Sequence, residues 1–160
     1  MGNVVTLEDG MEAPLFSAED SAGNVWNLSE LLAEGKRVVL YFYPKDSTPG
    51  CTKQACDFRD NMGVLSSADV AVFGVSKDSA KSHQNFTEKQ ELNFPLLLDT
   101  EGELLENYGV WREKKNYGRT YMGIARSTFV IESDGTLSMA KYGVKATGHV
   151  ARVMKHLELE

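Results

Sequence analysis

Runs of consecutive apolar residues, rich in β-branched and aromatic side chains, recur along a chain that is otherwise mixed in polarity. Three of these runs span residues 38–43, 70–76 and 128–131, and each predicts a strand that is buried on both faces of a sheet. A shorter run at residues 96–98 predicts a further strand. After the third run, an Asp-Gly pair is a turn signal, which predicts that this strand forms a hairpin with residues 137–142.

Helices are predicted between and after these strands. The segments are residues 51–62, 79–90, 102–108 and 147–157, and the last of them places its apolar side chains on one face. Strands that alternate with helices, followed by a hairpin and a helix, predict an α/β sandwich in which parallel strands precede antiparallel ones. Since the sequence contains neither a linker nor an internal repeat, residues 1–160 are expected to form one domain.

The composition changes this picture by excluding partners and sites. The formal net charge of −6 argues against nucleic acid or an anionic membrane surface as the main partner. No apolar run approaches the length of a membrane span, and residues 1–6 lack the basic and apolar regions of a secretory signal, so we expect a cytoplasmic protein. The two cysteines are too few for the disulfide scaffold of a small secreted protein or for a four-thiolate metal site.

The segment between the first predicted strand and the next helix carries the candidate chemistry. It runs Tyr-Pro-Lys-Asp-Ser-Thr-Pro-Gly-Cys over residues 43–51, and it places Cys51 where a helix is predicted to begin. The carboxyl ends of parallel strands are the usual site of ligand binding, and the free N–H groups of a helix N-terminus stabilise a thiolate. Cys51 is therefore the candidate nucleophile, and the alternative is a buried, inert thiol.

A stabilised thiolate alone does not make a fast catalyst, because a more acidic thiol is also a weaker nucleophile. Binding of the substrate and stabilisation of its leaving group need further side chains. Thr48, three residues before Cys51, offers a hydroxyl group, and its alternative role is to cap the helix. Arg126, at the start of the third long strand, offers a permanently charged donor, and its alternative role is a surface ion pair.

The spacing Pro44-x3-Thr48-x2-Cys51 matches the active-site motif of the peroxiredoxins, with all three motif residues in place. Longer strings resemble the bacterioferritin-comigratory (Q-type) subfamily: Tyr-Phe-Tyr-Pro at 41–44, Thr-Pro-Gly-Cys-Thr at 48–52, Ala-Cys at 55–56, Phe-Pro-Leu-Leu at 94–97, Tyr-Gly-Val-Trp at 108–111 and Arg-Ser-Thr-Phe-Val-Ile at 126–131. These strings run through most of the chain.

The resemblance implies an α/β, thioredoxin-like three-layer sandwich whose central mixed sheet is flanked by helices. It implies a thiol-dependent peroxidase that reduces hydrogen peroxide and organic hydroperoxides, with no metal or organic cofactor. Carried over by position, Cys51 is the peroxidatic cysteine and Cys56 is the resolving cysteine of an intramolecular disulfide. Pro44, Thr48 and Arg126 then form the pocket. Thioredoxin or a similar dithiol is the implied reductant, and a monomer or weak homodimer is expected. Members differ in their resolving cysteine, so Cys56 as a non-essential thiol stays open.

Other interpretations stay open from the residues alone. A thioredoxin-like protein disulfide oxidoreductase is disfavoured by the lack of a Cys-x-x-Cys motif, and a redox sensor without turnover would keep the same fold. A cysteine–histidine pair with His83 is a further alternative. His149 and His156 are expected on a solvated face of the last helix, since they stand too far apart for one metal. Residues 108–125, which mix basic and aromatic side chains, are expected to form a long loop beside the active site.

Overall fold

The computed structural model describes residues 4–159, so the prediction that residues 1–6 are not a secretory signal falls partly outside the described residues. The strands, in chain order, are β1 (Ser17–Glu19), β2 (Val25–Asn27), β3 (Arg37–Phe42), β4 (Val70–Ser76), β5 (Leu96–Leu98), β6 (Trp111–Asn116), β7 (Arg119–Ile124), β8 (Ser127–Ile131) and β9 (Leu137–Lys141). The helices are α1 (Leu28–Ala33), α2 (Pro49–Ser67), α3 (Ala80–Gln90), α4 (Glu103–Asn107) and α5 (His149–His156). Within residues 4–159, no helix is both long and apolar enough to cross a membrane.

The central sheet is mixed, and its strands lie in the order β5-β4-β3-β8-β9. β4 pairs in parallel with both β3 and β5, whereas β8 is antiparallel to both β3 and β9. This topology confirms the prediction of parallel strands followed by an antiparallel hairpin. β1 and β2 form a separate antiparallel pair, and the sequence pattern predicted neither this pair nor α1.

β3 lies at the centre of the molecule because both of its faces are apolar. Side chains alternate between the two faces of a strand. Val39 and Tyr41 therefore lie in one core cluster, which α2, α3 and α5 complete. Val38, Leu40 and Phe42 lie in the opposite cluster, which α1 and α4 complete. The three layers that result leave the carboxyl end of β3 open to the loop that carries the candidate site.

α2 extends beyond the predicted helix at both ends. It begins at Pro49 rather than Cys51, because a proline fits the first turn of a helix, where its missing N–H is not needed. It continues past Met62 because Leu65 is also buried, which carries the apolar face of the helix through one further turn.

The prediction of a long loop at residues 108–125 is wrong, because most of this segment is the antiparallel hairpin of β6 and β7. The turn residues Tyr117 and Gly118 have φ values of 51° and 77°. Two positive φ values in succession are typical of the type I′ turn that joins hairpin strands. The hairpin was hard to predict because a tyrosine, rather than asparagine or aspartate, precedes the glycine, and because most of its side chains are exposed or half-buried.

A glycine in β4 allows a tyrosine to pack beneath the site. The ring of Tyr41 lies over Gly74, where an added Cβ atom would come within 2.9 Å of the phenol carbon and oxygen. On its other side the ring stacks on Phe58 of α2, with the ring centroids 4.7 Å apart. This stack fixes α2 to the sheet from Phe58 onwards, seven residues after Cys51.

Candidate active site

Cys51 is the third residue of α2, the helix that follows the carboxyl end of β3. Thr48 is the N-cap residue, and its side chain makes no capping hydrogen bond to the first N–H groups of the helix. The unpaired N–H groups and the helix dipole favour negative charge at this position. The side chain of Cys51 faces the core with Ala55, Phe58 and Met62, and only 1% of the residue is exposed. The predicted placement of Cys51 at the beginning of a helix is confirmed.

Arg126 contacts the sulfur of Cys51 directly. It lies between β7 and β8, and its Nη2 donates to Cys51 Sγ at 3.2 Å. The side chain approaches across Gly50, where an added Cβ atom would stand 3.2 Å from Nη2. A glycine at this position therefore leaves room for the guanidinium group. The structure brings Cys51 and Arg126 together as the resemblance implied.

Gln54 is a site residue that the sequence reasoning missed. Its Oε1 accepts a hydrogen bond of 2.5 Å from Nη1 of Arg126, and the residue is fully buried. Arg126 therefore binds Cys51 and Gln54 with two different nitrogens, which fixes the plane of the guanidinium group. The signal in the sequence was the helical spacing, because a residue three positions after Cys51 lies on the same face of α2.

Thr48 lies at the start of the helix, but its hydroxyl group does not cap it. Oγ1 of Thr48 donates to the carbonyl oxygen of Lys45 at 2.9 Å. The hydrogen of the hydroxyl group is therefore used within the loop, and its oxygen keeps lone pairs for a further donor. Pro44 is exposed at the carboxyl end of β3 and has no N–H group, so any role in the site would be steric.

Cys56 lies on a different side of α2 from Cys51, and both thiols are free. Its half-buried sulfur donates to Oε1 of Gln90 on α3 at 3.5 Å. Arg59, one turn later, donates from Nη1 to the carbonyl oxygen of Gln90 at 2.7 Å. Because α2 is an uninterrupted helix from Pro49 to Ser67, the structure does not bring the two cysteines together.

Two of the three histidines lie in the protein interior. Both ring nitrogens of His83 contact other residues, Asp46 at 2.7 Å and the carbonyl oxygen of Leu97 at 3.0 Å, so His83 does not pair with Cys51. His149 is 2% exposed, and its Nε2 lies 2.7 Å from Oγ1 of Thr128. The expectation of a solvated His149 is wrong, because α5 turns this side chain against β8. His156 is exposed, as expected.

The burial of His149 makes the stability of the fold depend on pH. Burial first, and then the charges of Arg152 and Arg126, lower the pKa of His149 from 6.5 to about 4. The unfolded chain therefore takes up a proton at a higher pH than the folded chain does. The contribution of His149 to the free energy of unfolding is fully present above about pH 6.5 and is lost progressively towards pH 4. The loss is about 2 kcal/mol by pH 5.

We expect His149→Gln to remove this contribution, because a glutamine amide can keep the bond to Thr128 but does not titrate. Urea unfolding at pH 7 and pH 5 measures the change in the free energy of unfolding for both proteins. The decrease should be about 2 kcal/mol smaller in His149→Gln. His156→Gln, at an exposed position, serves as the control and should keep the pH dependence of the wild type. An equal decrease in His149→Gln and wild type would contradict the assignment.

Known proteins are similar to this chain in sequence and in fold. The AhpC/TSA family model matches residues 10–140. Peroxiredoxin Bcp of Bacillus subtilis is 46% identical over 154 residues, which cover 96% of this chain and 97% of the relative. Peroxiredoxin Bcp of Escherichia coli is 43% identical over 152 residues, which cover 95% and 96%. The Xanthomonas campestris bacterioferritin comigratory protein, whose alkyl peroxide reduction activity was studied through its structures, superposes with a TM-score of 0.85 at 36% identity, over 94% of this chain and 98% of that protein.

The relatives define the class as thiol peroxidases with a thioredoxin-like fold, which agrees with a buried thiol held by an arginine above the sheet. The chain belongs to the AhpC/TSA family, within its bacterioferritin-comigratory (Q-type) peroxiredoxins. It is therefore an oxidoreductase whose substrate is a peroxide and whose electrons come from a thiol reductant.

Proposed function

We propose that Cys51 is the peroxidatic cysteine. Its thiolate sulfur attacks one oxygen of a hydroperoxide, the O–O bond breaks, and the leaving oxygen departs as water or an alcohol after it takes up a proton. The sulfur loses two electrons and becomes a sulfenic acid, while the peroxide gains them. The observation that carries this proposal is the 3.2 Å contact between Arg126 and the sulfur of Cys51 at the N-terminus of α2.

The pocket residues have separate roles in this step. Arg126 stabilises the thiolate and the negative charge that moves onto the leaving oxygen. Thr48 accepts the hydrogen of the hydroperoxide, because its own hydroxyl hydrogen points to Lys45. Pro44 limits the width of the pocket.

We infer that Cys56 completes the cycle. Its thiolate attacks the sulfur of the sulfenic acid at Cys51, the S–S bond forms, and the oxygen leaves as water. A dithiol, for which thioredoxin is our candidate, then reduces the disulfide and becomes a disulfide itself. Hydrogen peroxide and organic hydroperoxides are the proposed substrates, and the alkyl peroxide reduction of the Xanthomonas relative supports the second class.

We propose a cytoplasmic enzyme that acts as a monomer or weak homodimer. The net charge of −6 supports a protein whose partners are neither nucleic acid nor a membrane.

Peroxide consumption with and without a thioredoxin system tests the proposed cycle. We expect continuous consumption of hydrogen peroxide and of an alkyl hydroperoxide only when the thioredoxin system is present. Without it, each chain should consume one equivalent and stop as the disulfide. Continuous consumption that is independent of any dithiol would contradict the cycle.

Replacement of Arg126 separates its effect on the thiolate from its effect on the transition state. We expect Arg126→Ala to slow the attack on peroxide by about a hundredfold, even at a pH at which Cys51 is fully ionised, because a donor to the leaving oxygen is lost. The second-order rate constant of Cys51 oxidation, measured across pH by stopped flow, checks this.

Arg126→Lys is the matched variant, since it keeps the charge but cannot bind Cys51 and Gln54 with two nitrogens of one plane. It should recover the thiolate but only part of the rate. If Arg126→Ala reacts as fast as wild type once Cys51 is fully ionised, Arg126 acts only on the thiolate. If Arg126→Ala reacts as fast as wild type at every pH, Arg126 is not part of the site.

A further inference from the structure

A buried carboxylate lies in the loop between β3 and α2, five residues before Cys51. Asp46 is 5% exposed, and its two oxygens contact three side chains. The hydroxyl of Tyr43 donates to Oδ1 at 2.5 Å, and the hydroxyl of Ser82 donates to Oδ2 at 2.8 Å. His83 Nδ1 lies 2.7 Å from the same Oδ2. Burial first, and then the neighbouring Tyr41 and Asp46, raise the pKa of Tyr43, so its hydroxyl keeps the hydrogen that it donates.

His83 is fully buried beside this carboxylate, and its other nitrogen also has a fixed partner. Nε2 lies 3.0 Å from the carbonyl oxygen of Leu97 in β5. Because a carbonyl oxygen only accepts, Nε2 carries a hydrogen. A second hydrogen lies between Nδ1 and Asp46, since two acceptors would not approach to 2.7 Å.

The geometry around Asp46 and His83 is that of a hydrogen-bond network and not that of a metal site. Asp46, Asp78 and His83 offer ligand atoms within 4.8 Å of one another. Two ligands of one tetrahedral zinc ion stand about 3.4 Å apart, given bonds of about 2.1 Å, whereas Nδ1 and Oδ2 are 2.7 Å apart. Oδ2 of Asp78 also accepts from the N–H of Asp46 and the hydroxyl of Ser76. These distances are those of a hydrogen-bond network.

This network joins the loop to two other elements of the fold. Asp46, in the segment that follows β3, bonds Ser82 and His83 of α3. His83 also bonds the carbonyl oxygen of Leu97 in β5. The N–H of Asp46 adds a bond of 2.9 Å to Asp78, which follows β4. A buried polar network in which each member has a partner holds its elements in one arrangement.

The residue immediately after Asp46 has an unfavourable backbone conformation. Ser47 has a φ of 65°, a left-handed conformation that is unfavourable for a residue other than glycine. Such a conformation persists where the residues around it are held in place. Thr48 and the first turn of α2 follow, and Cys51 lies in that turn.

We propose that the Asp46–His83 pair is the anchor that positions Cys51 for attack. The loop up to Asp46 stays fixed when the first turns of α2 unwind to let Cys51 reach Cys56. This inference rests on the assignment of Cys51 as the peroxidatic cysteine. His83 and Asp46 are positioning residues, because they act on Cys51 through the backbone of residues 46–51. The charged and titratable groups that face His83 are Asp46, Asp78 and Tyr43.

Two substitutions of His83 separate its two contacts. The amide of a glutamine reaches the position of Nε2, so His83→Gln keeps a donor to Leu97 and loses the donor to Asp46. The shorter asparagine places its amide near Nδ1, so His83→Asn keeps the donor to Asp46 instead. Both variants are made in the Cys56→Ser background, where oxidation stops at the sulfenic acid of Cys51. His156→Gln is the control for loss of an exposed histidine.

The measurements are the rate of Cys51 oxidation by hydrogen peroxide and the rate of its alkylation by iodoacetamide, at a pH at which Cys51 is fully ionised. We expect His83→Gln to slow oxidation by at least tenfold. Alkylation should become faster, because the thiol that is 1% exposed becomes more accessible. His83→Asn should stay within threefold of wild type in both rates, and His156→Gln should be unchanged. A purely structural role of His83 would lower the urea midpoint and leave both rates of the folded protein unchanged.

Hydrogen exchange of the wild type provides a test that does not depend on any variant folding. The amides of Tyr43 and Asp46, which are bonded to Val75 and Asp78, should keep equal protection in the reduced and disulfide forms. Loss of that protection in the disulfide form would overturn the anchor. Oxidation within twofold of wild type in a folded His83→Gln would also overturn it, as would a zinc ion bound by the wild type and lost in that variant. Dimedone labels a sulfenic acid, and mass spectrometry locates the label. If Cys51 carries no label after treatment with peroxide, the proposed function is contradicted rather than the anchor.

Discussion

Cys51→Ser is expected to reduce peroxide turnover to the background rate while the fold stays intact. A serine hydroxyl does not ionise near neutral pH and is a far weaker nucleophile than a thiolate, so the attack on the O–O bond has no other donor of electrons in the pocket. The fold should persist because serine nearly matches cysteine in size and because its oxygen can still accept from Arg126 at the position of the sulfur.

The measurement is steady-state peroxide reduction with a thioredoxin system, together with far-UV circular dichroism and urea unfolding. Cys56→Ser is the matched control, since it removes a thiol from the same helix. It should still be oxidised once per chain to a sulfenic acid at Cys51 but should lose the thioredoxin-dependent turnover. Retained turnover in Cys51→Ser would overturn the assignment of the nucleophile, and full turnover in Cys56→Ser would show that Cys56 is not essential.

The parts of the fold that could be predicted are those in which the pattern along the chain is decided by burial. β3, β4 and β8 are covered on both faces, so their sequences are continuous apolar runs and their positions were predicted within one residue at each end. The hairpin of β6 and β7 stands largely in solvent, and its sequence therefore carries no apolar alternation. The burial of His149 was not predicted, because its partner Thr128 lies on a strand 21 positions away in the sequence.

The candidate site divides in the same way. Cys51 and Thr48 belong to one short segment, so the peroxiredoxin motif predicts them, and the resemblance also supplied Arg126, which lies 75 positions further along the chain. Gln54 was not predicted because glutamine is common on helices and only the packed structure places it against Arg126. The pair of Asp46 and His83 depends on how α3 packs over the loop, and no spacing in the sequence reports that packing.

Formation of the Cys51–Cys56 disulfide is expected to unwind the first turns of α2. In a regular helix, residues five apart are separated by about 7.5 Å along the axis and rotated by roughly 140°. A disulfide needs Cα atoms about 4.4–6.8 Å apart and side chains that converge. In the structure, Cys51 faces the core and Cys56 faces Gln90, so the uninterrupted helix meets neither requirement.

Unwinding breaks contacts that stabilise the reduced form. The bond between Arg126 and Cys51 is lost, and so is the bond between Cys56 and Gln90. Phe58, which is stacked on Tyr41, is loosened as the turn before it opens. The disulfide form should therefore have the lower free energy of unfolding, and reduction should restore the helix.

Amide hydrogen exchange over residues 51–62, in the reduced and disulfide forms, measures this change. The amides of residues 52–58 should exchange at least about a hundredfold faster in the disulfide form, because opening of a helical turn removes the protection of its N–H groups. The end of α2 serves as the internal control, since Leu65 remains buried in the core and its amide should keep its protection. Equal protection of residues 52–58 in both forms, with the disulfide confirmed by mass, would mean that the two thiols meet without unwinding of α2.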